Sequence, residues 1–600
     1  MNAHYPRPHV YDKLGPAGKR LARIPRYGRL IATLPPPEFA RLTTEADTLW
    51  MAYSYVAPDP TDVTGLLDDG LKATEACRLG WHEEERIPPP REEVLVRRAQ
   101  VRLASDLLGA LAFKMFCRLE GEPASALVVQ DNVDGFLKKV FAAFRAAGAY
   151  RDCYDQPIPA ALILKDWGRL KAMDSHGLKH FIFSASEEEI RWTDITTMAF
   201  FAAYWACRWA EDSDLQRTRQ WVVDPLEGTN EVFREFWTFA AEMPEEALQR
   251  EGRTDWTRYE TLFTPLYDGT LVNDQECPIR STEFIYRSWQ RMAGTTAQAS
   301  FLAEFEQIRK GEKGDERKGI AERMLAGLVP LVGSGKRDDT GTFTMGAPPD
   351  EDPTWDSMGG RQDNPQQLVT LTYYRLHECC VTNEQYELFE GRHVGHRWGR
   401  KEHPLVTKAR EEQPETAAKA DDRCPVVNVT WYDAWCFAVW CGCQLPTEAE
   451  WEYACRAGRQ TPFTFGKEHD GKTCTADVCN FDGNSPWPEG APTGGYRECT
   501  IPVDGLGPNR WGFYQLHGNV WEWCADWYAM GFYDTDRGGK PDPVNDIPAA
   551  ARVLRGGGWS NIGGGFCRSA YRSRNVPDFR NLRDGFRLAA APDVGAQQGK

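Results

Sequence analysis

Around residue 310 the sequence changes from one periodicity to another, and no single core accommodates both. Before that point apolar residues recur every three or four positions: in EEVLVRRAQVRLASDLLGALAFKMFCRLE from Glu92, in TDITTMAFFAAYWACRWAED from Thr193, and in STEFIYRSWQRMAGTTAQASFLAEFEQIRKG from Ser281. This is the spacing of helices that bury one face. The second segment is so dense in apolar residues that it predicts a helix buried on most sides. The third predicts one helix or a pair. A solvated run, RKGEKGDERKG from Arg309 to Gly319, closes the region and marks a boundary. Beyond it come short apolar runs, tight turns and many Gly, Pro, Asn and Trp residues, the texture of an α+β domain with long irregular loops. Two helices stand out there. TEAEWEYACRAG is capped by Thr447, with Glu450 completing a capping box, and TWYDAWCFAVWCG runs from Thr430 as N-cap to a stop at Gly442. The expected organisation is therefore multidomain: an extension over residues 1–90, a helical domain over 91–320 and an α+β domain over 321–600.

Composition narrows the classes of function. Six hundred residues exceed what one core usually holds, and 22 tryptophans with 42% apolar residues belong to globular domains. A net charge of −16 disfavours nucleic-acid binding by the chain as a whole. The basic start, MNAHYPRPHVYDKLGPAGKRLARIPRYGRL, lacks an apolar segment of signal-peptide length, and no later run is long enough to cross a bilayer. The expectation is a cytoplasmic protein without a membrane partner. Seventeen cysteines, an odd number with no secretion signal, read as buried thiols.

Several motifs fail on inspection. Twelve cysteines lie between Cys379 and Cys567, yet Cys441-Gly-Cys443 and the Cys474/Cys479 pair lack the spacing of a structural zinc site. His393, His396 and His403 have no helical i, i+4 pairing. LVGSGKRDD around Lys336 lacks the first glycine of a phosphate loop, where Pro330 stands, and Arg337 replaces its Ser/Thr, so no nucleotide site is expected.

Other segments carry a family resemblance. FTMG (Phe343 to Gly346), ECCVTNEQYELF, PVVNVTWYDAWCFAVW, LPTEAEWEYACRAG, GFYQLHGNVWEWCADWY, RVLRGGGW and DGFRLA come in one order across residues 343–590. Together they resemble the formylglycine-generating, or sulfatase-modifying-factor, family. The resemblance implies a variant of the C-type lectin fold following the helical region, without by itself implying an enzyme. The family's oxidases bind copper through two cysteines five residues apart. Those places fall on Asn561 and Phe566 here, and neither flank registers Cys567 on a family cysteine, so copper and a catalytic residue are not expected. An iron site would need histidines, and none occurs from Val520 onward. By position, the resemblance implies structural calcium at Gln515, Gly518, Val520 and Glu522. A second calcium set would use Asn480 and Phe481, with Gly494 where the family has aspartate. The alternative for Glu522 is a structural carboxylate bonding loop amides.

The final stretch, about 556–588, resembles more closely the variable proteins of diversity-generating retroelements, whose lectin-like domain ends in a segment rewritten at adenines. Their fixed landmarks stand here as RGGGW, CRSA (Cys567 to Ala570), PD (Pro577, Asp578) and DGFR (Asp584 to Arg587). From an AAC codon changed only at adenines, Lys, Glu, Gln, Met and Trp are unreachable. The residues between the landmarks are Ser560, Ile562, Gly563, Gly565, Phe566, Tyr571, Ser573, Val576, Phe579, Leu582, Arg583 and Asp584, all reachable, with Asn561, Asn575 and Asn581 as unchanged template. Positions that accept such different side chains are expected to face solvent, where Phe, Tyr and Arg serve as contact anchors.

Competing readings remain open. The closely spaced apolar residues also suit a core. Arg568, Arg572, Arg574, Arg580 and Arg587 suit loop ties through carboxylates and carbonyls. Eight Arg against two Asp between Arg552 and Arg587 is a nucleic-acid signature that coincides with family landmarks. IRWTDITTMAFFAAYWACRW and STEFIYRSWQRM resemble the helical segments after the core of STAND/NACHT signalling NTPases. Because that core is missing, the resemblance implies a separate NTPase partner, against the alternative of an unrelated scaffold. The leading expectation is a protein that binds an unknown ligand, of protein class, through the diversified residues. The alternatives are a formylglycine-generating-type oxidase or metal-dependent enzyme with a relocated site, and a calcium-stabilised structural module.

Overall fold

The computed structural model describes most of residues 195–332, residues 340–348, 366–397, 422–466 and 469–591, and short pieces elsewhere, among them a helical piece at 109–116. The basic N-terminal stretch, most of the helix expected from Glu92, residues 333–339 of the phosphate-loop-like segment and His403 lie outside the described residues. The chain divides into two compact units. One comprises Met1–Leu271 and Ile279–Thr295, the other Val272–Pro278 and Thr296–Lys600.

In the first unit, α1 (Ile195–Arg208), α2 (Asp212–Thr218), α3 (Glu231–Ala241), α4 (Thr257–Tyr267) and α5 (Thr282–Ser288) build an aromatic core. The apolar density of α1 has the expected consequence: Met198 to Tyr204 are all buried. Phe200 meets Phe239 of α3 edge to face, and Trp237 packs on Phe263 of α4 and Phe284 of α5. Buried hydroxyls reach backbone acceptors, Tyr259 to the Ala241 carbonyl at 2.9 Å and Tyr267 to that of Ile285 at 3.0 Å, so these rings add bulk without stranding a polar group.

The second unit begins with α6 (Thr296–Arg309) and α7 (Asp315–Ala326). The charged run expected to mark a boundary at 309–319 thus joins two helices of one unit. Its charge fits a tight turn between helices as well as a linker. Phe305 of α6 packs edge to face on Trp440, whose indole donates to Glu304 at 3.0 Å. Then follow β1 (Leu328–Leu331), β2 (Thr340–Met345), β3 (Gln367–Thr372), β4 (Tyr374–His377), α8 (Asn383–Tyr386), α9 (Trp431–Trp440) and α10 (Glu448–Arg456). The last strands are β5 (Trp521–Trp527), β6 (Arg552–Arg555), β7 (Arg572–Asn575), β8 (Asp584–Gly585) and β9 (Ala589–Ala590). The expected capping box of Thr447 with Glu450 forms, Thr430 is the N-cap expected and gains a box of its own with Asp433, and Gly442 takes the left-handed conformation just past the end of α9.

Three sheets frame this unit. β2 and β3 form a hairpin. β9, β4 and β1 form an antiparallel sheet that ties the C-terminal end to the start of the unit. The third sheet, ordered β7-β6-β5-β8, carries the arginine-rich stretch, with β8 parallel to β5 and the other pairs antiparallel. Its buried side holds charged pairs as well as apolar groups. Arg587 grips Glu522 of β5 through Nε at 2.6 Å and Nη2 at 2.7 Å. Arg572 grips Glu448 of α10 at 2.6 and 2.8 Å, and Arg555 reaches Glu452, which also holds Arg456 at 2.8 Å. Arg552 lies between the rings of Trp431 and Trp527, 3.6 and 3.7 Å from their centroids. Arg568 pairs with Glu351 at 2.9 Å.

Removing one partner of a fully buried pair strands the other charge, at a cost of about 3–5 kcal/mol. Glu522→Gln and Arg572→Met are each expected to lower stability by that order. Glu522→Gln combined with Arg587→Met should lose less than the sum of its two single changes, as read from urea unfolding midpoints.

Candidate functional site

The segment between Gly556 and Arg587 leaves the sheet as two loops, 556–571 between β6 and β7 and 576–583 between β7 and β8, and local hydrogen bonds bring them together. The Trp559 indole donates to the Leu582 carbonyl at 3.1 Å, and Arg583 Nη1 donates to Ser560 Oγ at 3.2 Å. Each loop is also tied to the scaffold by backbone. Trp559 N bonds the Asn519 carbonyl at 2.8 Å, Gly564 N that of Ser485 at 3.0 Å, Asn428 N that of Asn581 at 2.9 Å and Trp431 N that of Pro577 at 3.0 Å. Arg580 reaches Asp433 at 2.7 Å and the Asn428 carbonyl at 2.9 Å. Between these anchors, Asn561, Asn575 and Asn581 add side-chain bonds to the loop backbone, at Gly558 N, Val576 N and Arg583 N.

The expected contact residues divide into three groups. Ile562, Val576, Phe579, Leu582 and Arg583 are exposed. Ten large apolar side chains are exposed among the described residues, and four of them are Ile562, Val576, Phe579 and Leu582, so the concentration here is specific to this face. Ser560, Gly563, Phe566, Ser573, Asn575 and Asn581 are half-buried. Gly565, Tyr571 and Asp584 are buried, contrary to the expectation that all these positions face solvent. Tyr571 is covered because its ring meets Phe566 at 5.2 Å and Trp521 at 5.9 Å. Gly565 lies inside the single 3-10 turn Gly564–Cys567, where its carbonyl accepts from Arg568 Nε at 3.1 Å. Asp584 is enclosed by its pairing with Trp521 in the parallel strands.

The calcium sets fare differently from each other. Both oxygens of Glu522 are taken, by Arg587 and by the Trp451 indole at 2.8 Å, with the Cys380 thiol at 3.3 Å. Gln515 donates to the Pro502 carbonyl at 2.8 Å and accepts from the Asn519 amide. With Gly518 and Val520 these residues do not fit a cation, because a guanidinium already occupies the carboxylate. Glu522 is the structural carboxylate of the alternative reading, satisfied by arginine rather than by loop amides. At the second set Asn480 Oδ1 is buried without a hydrogen-bond partner, beside buried Phe481, and Gly494 supplies no side chain. One orphaned neutral oxygen suits a hard cation, but the charged ligand is missing. Among the described residues no three or more His, Cys, Asp or Glu side chains gather in a metal-holding arrangement. No helix among them is long and apolar enough to cross a membrane.

At the two places of the family's copper ligands, Asn561 is half-buried with its Oδ1 accepting from Gly558 N at 2.6 Å, and Phe566 packs on Tyr571. Cys567 points away from this face into a buried apolar cluster with Phe463, Phe481, Cys474 and Cys479. His393 is buried on a turn while His396 is not, so they form no ligand pair.

Residues 339–592 match the family described as the sulfatase-modifying factor enzyme 1-like domain. The formylglycine-generating enzyme of Thermomonospora curvata is 32% identical over 308 residues, which cover 45% of this chain and 95% of that protein. The chain belongs to the sulfatase-modifying factor family. A second formylglycine-generating enzyme, from Streptomyces coelicolor, is 40% identical over 177 residues, covering 28% of this chain and 54% of that protein. Among solved structures, Treponema denticola variable protein 1 aligns over 44% of this chain and 94% of its own, at 20% identity and a TM-score of 0.32. The sulfatase-modifying factor domain thus occupies the second unit, and the two loops belong to its last quarter.

Burial raises the Asp584 carboxyl from the ordinary aspartate range to about 7, partly offset by a 3.5 Å bond from Asn575 and by the charge of Arg583. The folded state therefore holds this proton where the unfolded chain has lost it. Its contribution to stability is complete below the unfolded value and falls as pH rises from about 4 to about 7. Asp584→Asn is expected to gain stability relative to the native chain as pH increases from 4 to 8, read as the difference between urea midpoints. Parallel pH profiles would show that Asp584 ionises freely.

Proposed function

We propose that this chain is a recognition protein, in which the sulfatase-modifying factor domain serves as scaffold and the face formed by loops 556–571 and 576–583 binds a protein ligand. The observation that carries the proposal is the clustering of exposed Ile562, Val576, Phe579 and Leu582 on a backbone held by bonds to the rest of the domain. Apolar groups in solvent at one place cost solubility without adding to the core, and they gain a purpose when a partner covers them. Exposed Arg574 and Arg583 supply charge at the edge, while the landmark arginines 555, 568 and 587, and Arg572 with them, are buried in pairs. A nucleic-acid surface loses most of its basic residues by that division.

The residue repertoire supports diversification of this face. Every exposed or half-buried occupant between the landmarks is reachable from an asparagine codon by changes at adenine, while the landmarks are structural. An oxidase of the family's kind lacks support at this site, since Asn561 and Phe566 stand where its copper thiolates would be.

Ile562→Ser, Val576→Ser, Phe579→Ser and Leu582→Ser combined should leave the melting temperature within about 2 °C of the native value, as for surface substitutions, whereas Tyr571→Ser alone should lower it by more than that. Sequencing this gene across many isolates should find codon changes concentrated at 560–566, 573–576 and 579–583. Unfolding of the quadruple variant, or an invariant segment in every isolate, would return these residues to a structural role.

A further inference from the structure

Beneath the displayed loops three cysteines from distant parts of the second unit meet. Cys474, Cys479 and Cys567 are each wholly buried and share one apolar cluster with Phe463, Phe465 and Phe481. Cys479 Sγ also donates to the His517 carbonyl at 3.2 Å, which fixes its position. Glycines clear the space. A Cβ on Gly518 would lie 2.5 Å from Cys479 Sγ, one on Gly557 would lie 2.6 Å from Cys567 Sγ, and one on Gly564 would lie 3.2 Å from Cys474 Cβ. Gly518 and Gly557 both have left-handed backbone, and the Gly518 amide bonds the Gly556 carbonyl at 2.7 Å. Two glycines in left-handed backbone and a backbone bond thus bring the segments that pack on Cys479 and Cys567 side by side. Because the group has no metal-holding arrangement, its available chemistry is that of dithiol and disulfide.

We propose that Cys479 and Cys567 form a reversible disulfide that pins the displayed loop to the scaffold, with Cys474 as the thiol able to reopen it. The oxidant is a low-molecular-weight disulfide. The Cys479 thiolate attacks it to give a mixed disulfide and one released thiol, and the Cys567 thiolate then displaces the second. Two protein thiols and one small disulfide become one protein disulfide and two small thiols, with protons and electrons balanced. Reopening begins with attack of the Cys474 thiolate on Cys479. Burial pushes the Cys474 and Cys479 thiols up, and the Cys479 contact together with burial does the same for Cys567. Exchange in the closed protein is therefore slow and belongs to folding or to opening of the Gly564–Cys567 turn. Closing the loop from 479 to 567 covalently removes freedom from the unfolded chain.

The test refolds the full chain in a buffer of oxidised and reduced glutathione, alkylates free thiols and digests with trypsin. Cys474 and Cys479 share the peptide 473–497, and Cys567 lies in 556–568. The proposal expects these peptides joined, the join kept in Cys474→Ser and absent in Cys479→Ser, and a urea midpoint that falls on adding reductant. Alkylation of all three thiols in correctly refolded native chain would overturn it. So would a closed loop within 473–497 with Cys567 alkylated.

Discussion

Everything in the C-terminal unit rests on the placement of arginine guanidinium groups inside it. Glu448 and Glu452 on α10 and Glu522 on β5 are buried, and each is met by an arginine from the last part of the chain. Such pairs add little net stability compared with apolar groups of the same shape, but they are intolerant of mispairing. Their effect here is positional. The ends of β6, β7 and the stretch after β8 are each anchored at one carboxylate, so the loops between them begin and end at fixed points whatever side chains they carry.

The proposed recognition face draws on that division of labour. Arg555 and Arg587 among the anchors coincide with landmarks of the resemblance, while the intervening loops are tied to the rest of the domain by backbone bonds at Trp559, Gly564, Pro577 and Asn581. Trp559 and Arg583 then bond across to the facing loop, at Leu582 and Ser560, so that two loops act as one surface. Beneath them, Gly518 and Gly557 leave room for sulfur rather than carbon.

The parts of this arrangement legible in the sequence were the local ones. The capping box at Thr447, the N-cap at Thr430 and the buried helix from Ile195 all follow from residue types at short spacing. The burial of Tyr571 was not legible, because the rings that cover it include Trp521, fifty positions earlier and on another strand. Glu522 carried a family expectation of calcium, yet its fate was decided by Arg587, a partner that only strand pairing brings near. The charged run at 309–319 read as a boundary because a solvated turn between two helices of one unit has the same composition. Cys474, Cys479 and Cys567 meet through three loops that no spacing rule connects.

The ring contact between Phe566 and Tyr571 has a further consequence for any repertoire built on this face. Two positions that pack on one another are not drawn independently: a small residue at 566 uncovers the tyrosine, and a small residue at 571 lets the phenylalanine sink inward. The set of distinct surfaces is then smaller than the product of the choices at each position, but its members differ in shape as well as in chemistry. A change at half-buried Phe566 or buried Tyr571 reshapes the ground on which Ile562, Val576, Phe579 and Leu582 stand, so one substitution there can alter which partner fits.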